Sequence, residues 1–178
     1  AKTDLDSYEC RHGTGYTRFV SSHKGVVADL TFFIPEKDPV EIWSLTLTNT
    51  REAVKELDLT SSVEFCFYEA LNDATNYQRT WSNGEVEVHG GSIYHKTEYR
   101  ERRSHYTVFH SYEPVDGFDT DQFSFLGNTR GISNPVTVEN GQAGNSIASG
   151  WNPIGSHSIK VKLEPGEGKE LTFLIAYV

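Results

Sequence analysis

The chain holds 178 residues, 37% of them hydrophobic, enough for one domain with its own core or a large piece of one. Its formal net charge of −9 argues against nucleic acid as a partner, because a phosphate backbone calls for a basic footprint. No apolar run reaches the roughly 18 residues of a membrane span and no signal peptide is visible, so the chain reads as cytoplasmic with no membrane partner.

Strand signals recur along the chain and helix signals are scarce. Residues 6–19 read as a strand, a bend at His12-Gly13 and Gly15, and a second strand; Ser21 to Gly25 reads as a turn. Val26 to Ile34 is β-branched and aromatic and closes at Pro35, and Val40 to Asn49 alternates Leu45 and Leu47 with Thr46 and Thr48. The clearest strand follows Lys55. Leu57, Leu59, Val63, Phe65 and Phe67 share its odd positions, a period of two that buries one face. Tyr68 to Trp81 lacks a period and predicts a long loop with room for a helical turn. Asn83-Gly84 has hairpin-turn chemistry, and strands are expected over Glu85 to Val88, Ser92 to Tyr99 and Tyr106 to Tyr112, with a turn at Gly90-Gly91. Pro114 to Asn134 reads as an ordered loop, Pro135 to Glu139 as a short strand, and Gly141 to Gly155 as loop again. The end reads as a hairpin turning at Pro165-Gly166, with Leu171 to Val178 buried on both faces. About ten short strands predict an all-β, antiparallel β-sandwich forming a single domain over 1–178. The chain opens at Ala1 and contains no Met, as expected of a piece excised from something longer.

Five groups of residues bear chemistry. Asn76-Tyr77-Gln78-Arg79 with Trp81 joins an amide fork, a guanidinium fork and aromatic faces, which suits a sugar; a polar loop whose Arg pairs with a nearby Asp is the other reading. Tyr99-Arg100-Glu101-Arg102-Arg103 suits an anion or a subunit interface, or else an ion-paired strand end. Asp116, Asp119 and Asp121 resemble paired glycosidase carboxylates or a Ca²⁺ loop, but Asp beside Gly is the usual turn former, which is the expectation here. Glu64 and Glu69 flank an apolar strand, with Glu64 expected on its polar side. Trp151, between Gly150 and Pro153, reads as a structural corner, with a sugar platform as the alternative. Two cysteines, Cys10 and Cys66, are too few for a disulfide scaffold, and Cys66 reads as a buried thiol. The seven histidines lack ligand spacing, so no metal is expected.

YECRHGTGYT (8–17), VEFCFYEALNDATNYQR (63–79), EVEV (85–88), IYHKTEYRERRSHY (93–106), DGFDTD (116–121) and ASGWNPIGSH (148–157) resemble, in order, the amino-terminal domain of the cellobiose phosphorylases. These belong to glycoside hydrolase family 94, formerly classed as glycosyltransferase family 36. The chain departs from the pattern at Tyr68-Glu69, where Trp-Asn is usual, and at Gln122, where Arg is usual. The resemblance implies a large super-sandwich of the galactose-mutarotase type, present as a partial domain. It implies a full-length inverting phosphorylase that converts cellobiose and phosphate to α-glucose 1-phosphate and glucose. The general acid would lie in a separate (α/α)6 barrel, so this chain would carry no catalytic residue and be inactive alone. The enzyme would be a homodimer in which Asn76, Tyr77, Gln78 and Arg79 form the substrate-binding arm, with Gln78 and Arg79 reaching the acceptor sugar across the interface. No metal or organic cofactor is implied; inorganic phosphate is the co-substrate, and the partners are a β-linked disaccharide or glucose. A stand-alone carbohydrate-binding module and a purely structural dimerisation domain are the alternatives that the residues leave open.

Overall fold

The computed structural model describes residues 3–65, 71, 75, 84–97 and 106–178. These form eleven strands: β1 (Ser7–Gly13), β2 (Tyr16–His23), β3 (Val26–Phe33), β4 (Val40–Asn49), β5 (Lys55–Glu64), β6 (Gly84–His89), β7 (Ser92–Thr97), β8 (Tyr106–Ser111), β9 (Gly117–Asp121), β10 (Pro153–Leu163) and β11 (Gly168–Tyr177). Two short helices, α1 (Gln122–Leu126) and α2 (Val136–Asn140), follow β9. The strands build an eight-stranded sheet in the order β1-β2-β3-β4-β11-β8-β7-β6 and a three-stranded sheet in the order β5-β10-β9. All strand pairings are antiparallel. The expected all-β sandwich is what forms.

The period-two pattern sets the core. Odd residues of β5 face inward with Ile159, Val161 and Leu163 of β10, and they meet Leu45, Leu47, Leu171, Phe173, Ile93 and Phe109 of the large sheet. An aromatic run crosses that sheet's inner face. Phe32 meets Trp43 at 5.1 Å between ring centres, and Trp43 meets Phe109 at 5.5 Å. Gly155 permits the close approach of the two sheets: a Cβ there would lie 2.9 Å from the Phe109 ring and 3.0 Å from the Phe65 ring. Such spacing leaves no room for a side chain.

The last two strands correct the expected hairpin. β10 pairs with β5 and β9, whereas β11 pairs with β4 and β8, so the turn at Pro165-Gly166 carries the chain from one sheet to the other. Gly166 has φ +74°, and the Glu167 N–H donates to the Glu164 carbonyl at 3.0 Å. This is type II turn chemistry, which specifies a reversal but not which neighbour the next strand finds. Asn49, fully buried, decides that. Its side-chain amide donates to the carbonyls of Ala53 at 2.8 Å and of Leu163 and Glu164 at 3.2 Å, and its oxygen accepts from the Arg51 N–H at 3.0 Å. One side chain thereby ties the β4–β5 crossover to the β10–β11 crossover. Replacing Gly166 with Ala forces a Cβ into left-handed backbone and is expected to cost about 1 kcal/mol. Urea unfolding of G166A at neutral pH would read it, and an unchanged midpoint would contradict the turn assignment.

Other expectations shift locally. Residues 136–140 form α2 and not a strand: Pro135 precedes the first turn and Gly141 closes it at φ +63°. Within the expected loop Pro114 to Asn134 lie β9 and α1, the latter capped by Asp121. Gly84 is the first residue of β6, opposite Thr97, and not a hairpin turn residue. Pro153, Ile154 and Gly155 already belong to β10. β11 buries Leu171 and Phe173 on one face only, and Val178 is 63% exposed, because no described residue forms a layer over the outer face of the large sheet. Leu71 and Thr75 are helical, with the Thr75 hydroxyl donating to the Leu71 carbonyl at 2.7 Å, in keeping with a helical turn in the long loop. Cys10 is a half-buried free thiol, and Cys66 lies outside the described residues.

Candidate functional site

The antiparallel registers gather the chemistry-bearing strings at one end of the sandwich. The β1–β2 turn, carrying His12-Gly13-Thr14-Gly15, is there, as are the exit of β9 at Asp121 and the entry to β10 at Pro153. The segment between β5 and β6 leaves at Phe65 and returns at Gly84; the segment between β7 and β8 leaves at Thr97 and returns at Tyr106. Asn76, Tyr77, Gln78, Arg79 and Trp81, the Tyr99 to Arg103 cluster, and Glu69 all lie on these two segments, outside the described residues. The strands that carry both segments are fixed by the core, so the segments issue from a rigid base. A cleft of about 470 Å³ opens at this end, walled by Val40, Val63, Phe65, Ile175 and Tyr177, with Glu41 and Glu64 on its polar side. Glu41 accepts from the Trp43 indole N–H at 2.6 Å, and Glu64 accepts from the Gln122 amide at 2.8 Å. Glu64 lies on the exposed side of β5, as its register predicts.

The three aspartates serve the backbone. Asp119 is fully buried. Its Oδ1 accepts from the Ser146 N–H at 3.0 Å and the Ser146 hydroxyl at 2.7 Å; its Oδ2 accepts from the Gly144 N–H at 3.1 Å and the Thr137 hydroxyl at 3.2 Å. Asp121 caps α1 by accepting from the Phe123 N–H at 2.7 Å, and Asp116 accepts from the Lys160 N–H at 2.6 Å. These carboxylates are spoken for by donors that the fold itself leaves unpaired, so they are turn and cap residues and not an acid–base pair. Among the described residues no group of three His, Cys, Asp or Glu is placed to hold a metal ion.

Beneath the cleft lie two buried histidines, His95 and His157. His95 stacks on Phe65 with ring centres 4.6 Å apart and planes 4° apart. His157 stacks on Phe109 at 4.7 Å, with its Nδ1 3.4 Å from the Ser61 hydroxyl. Burial pushes the pKa of His95 down to about 4, and burial, helped by nearby His110, does the same to His157. Both are neutral at pH 7. The Ser61–His157 contact is sealed from solvent, so it is packing and not a nucleophile with its base. His95 occupies an inward position of β7, opposite Val86, and so belongs to the core and not to an exposed face. Trp151 departs most from expectation. It is 58% exposed and is not a buried corner.

Comparison with solved structures shows the fold. A chain described as a kojibiose phosphorylase from the human microbiome superimposes with a TM-score of 0.53 at 9% identity, over 92% of this chain and 17% of that one. An Escherichia coli K12 protein described as an aldose 1-epimerase gives a TM-score of 0.51 at 8% identity, over 96% and 68%. Among curated proteins, the N,N'-diacetylchitobiose phosphorylase of Vibrio proteolyticus is 29% identical over 97% of this chain and 22% of its own length. The solabiose phosphorylase of Paenibacillus borealis is 31% identical over 97% of this chain and 22% of its own length. The chain thus spans about a fifth of the length of these relatives. The family described as glycosyl hydrolase 94, supersandwich domain, matches residues 1–178, the whole of the chain. A two-layered antiparallel sandwich that matches this family from end to end, with relatives that are disaccharide phosphorylases, belongs to the supersandwich domains of glycoside hydrolase family 94.

Proposed function

We propose that this chain is the sandwich domain of an inverting disaccharide phosphorylase, supplying acceptor-sugar contacts and part of a homodimer interface to an active site whose general acid lies on an (α/α)6 barrel. One observation carries the reading: relatives named as phosphorylases align along nearly all of the chain, at 28–31% identity. The reaction is phosphorolysis of a β-linked disaccharide to α-glucose 1-phosphate and a free sugar in the cytoplasm, with cellobiose as the first candidate substrate. The relatives above are named for N,N'-diacetylchitobiose and solabiose, so other β-linked disaccharides are candidates beside cellobiose. Asn76, Tyr77, Gln78 and Arg79 form the arm that takes the acceptor. A Gln amide and an Arg fork satisfy adjacent hydroxyls that need both donors and acceptors. An arm closing over the sugar also excludes water, which would turn phosphorolysis into hydrolysis.

The test uses the full-length enzyme. Phosphorolysis of cellobiose, N,N'-diacetylchitobiose and solabiose is followed by release of sugar 1-phosphate. Synthesis from α-glucose 1-phosphate is followed by phosphate release. Arg79→Ala is expected to lower kcat/KM for the acceptor by about tenfold or more, the loss of one charge-assisted hydrogen bond of about 1.5–3 kcal/mol. The KM for α-glucose 1-phosphate should hardly move. Unchanged synthesis kinetics in Arg79→Ala would remove the arm's assigned role, and no activity on any β-linked disaccharide would remove the phosphorylase reading.

A further inference from the structure

The surroundings of Trp151 fold it outward. Gly150 has φ +85° and Asn152 has φ +38°, left-handed backbone that Gly and Asn adopt more readily than other residues. The loop is anchored on both sides. The Ala148 N–H donates to the Thr120 hydroxyl at 2.9 Å, and Pro153 opens β10 opposite Asp121. A large ring is thereby presented to solvent from a fixed loop, although its apolar surface would be more stable covered. An exposed aromatic held on an anchored loop is a pattern of binding sites.

A groove runs beside it. Gly84, Glu85, Val86 and Glu87 of β6 form one wall, and Ala148, Ser149 and Gly150 form the other. β6 is an edge of the eight-stranded sheet, so main-chain groups of that edge lie along the groove. The groove thus offers two carboxylates, a hydroxyl and backbone donors and acceptors, and its Gly150 wall leads in the next residue to the exposed Trp151. Pyranose rings need that combination: an apolar C–H face to stack and hydroxyls that both donate and accept. The carboxylates and the hydroxyl favour a hydroxyl-rich ligand over the apolar face of a protein.

We propose that Trp151 and the groove between β6 and Ser149 form a saccharide-binding site for gluco-configured, equatorially β-linked oligosaccharides, beyond the contacts of Asn76 to Arg79. The choice of sugar class rests on the phosphorylase reading; the site itself rests on the loop and the groove. Trp151 supplies the stacking face, and Ser149, Glu85 and Glu87 address the hydroxyls.

The test reads binding at equilibrium, without phosphate or turnover. The ¹⁵N-labelled chain contains three tryptophans, and the indole N–H resonance of Trp151 is identified by its loss in Trp151→Phe. Cellotetraose and N-acetylated chitotetraose are titrated into the millimolar range, with α-linked maltotetraose as the control. A saturable shift of the Trp151 indole with either β-linked sugar and none with maltotetraose is expected. Trp151→Ala should abolish the accompanying backbone shifts around Gly84 to Glu87, Ser149→Ala should weaken binding several-fold, and Arg79→Ala should leave the Trp151 shift in place. An unmoved indole overturns the proposal, as does an indole that shifts only on dilution, which would assign the ring to contact between copies of the chain. An enzyme that phosphorolyses disaccharides while Trp151 stays silent sinks this inference alone. A bound sugar in a protein with no phosphorolysis sinks only the activity.

Discussion

Lowering the pH from about 7 to about 5 is expected to remove about 4 kcal/mol of folding stability through His95 and His157 alone. Both side chains are buried beneath the candidate site, and their pKa values lie at about 4 in the folded protein against 6.5 for the unperturbed group. The sign follows from proton counting. Above pH 6.5 neither state binds the extra proton, and the stability is fully present. Between 6.5 and about 4 the unfolded chain takes up a proton on each imidazole while the folded chain does not, so unfolding is favoured as pH falls. Each histidine contributes about 1.4 kcal/mol for each pH unit in that window, and below about 4 the loss levels off. Urea unfolding at several pH values would show the slope, and a His157→Phe variant, which keeps a ring between Phe109 and Phe173, should show about half of it. A stability that stays flat between pH 7 and 5 would mean that these imidazoles are not sealed as their stacking implies.

Asp119→Ala is expected to destabilise the protein by about 3 kcal/mol, a large share of the roughly 5–15 kcal/mol that holds a domain folded. The carboxylate, itself fully buried, answers two backbone N–H groups and two hydroxyls. Removing it takes their acceptor from the Gly144 and Ser146 N–H groups and the Ser146 and Thr137 hydroxyls at once, and a hydrogen bond to a charged group is worth about 1.5–3 kcal/mol. Asp119→Asn keeps the shape and still fails in part, because its amide would point donors at donors. The expected order of urea midpoints is wild type, then Asn, then Ala, with similar slopes. An Asn variant as stable as the wild type would show that a carboxylate is not needed there. This variant also separates structure from chemistry. If Asp119 were a catalytic acid, Asn would abolish activity without touching the midpoint.

The parts of this fold that follow a local rule were readable in advance. Leu57 to Phe65 announces β5 through its period of two, and Gly90-Gly91 announces the β6–β7 turn. The elements that were missed are too short for a period or depend on distant partners. α1 and α2 have five residues each, little more than a turn, so only Asp121, Pro135 and Gly141 mark them. The separation of β10 from β11 is invisible in Pro165-Gly166, because Asn49, more than a hundred residues earlier, sets it. The exposure of Trp151 is not legible in its string, because Gly and Pro shape a turn equally well around a ring that points in or out. The family strings were legible because they are contiguous, and their convergence at one end follows from registers that no single string contains.

β11 lies between β4 and β8, joining β1–β4 to β6–β8 in the large sheet. It is also the last of the eleven strands to leave a ribosome. Until it arrives, two half-sheets present facing open edges, and every contact that closes them spans a long loop, which makes closure slow. The interval before closure is when such edges are open to wrong partners. Synthesis rate and chaperone supply, more than equilibrium stability, should therefore govern how much of this domain a cell recovers folded.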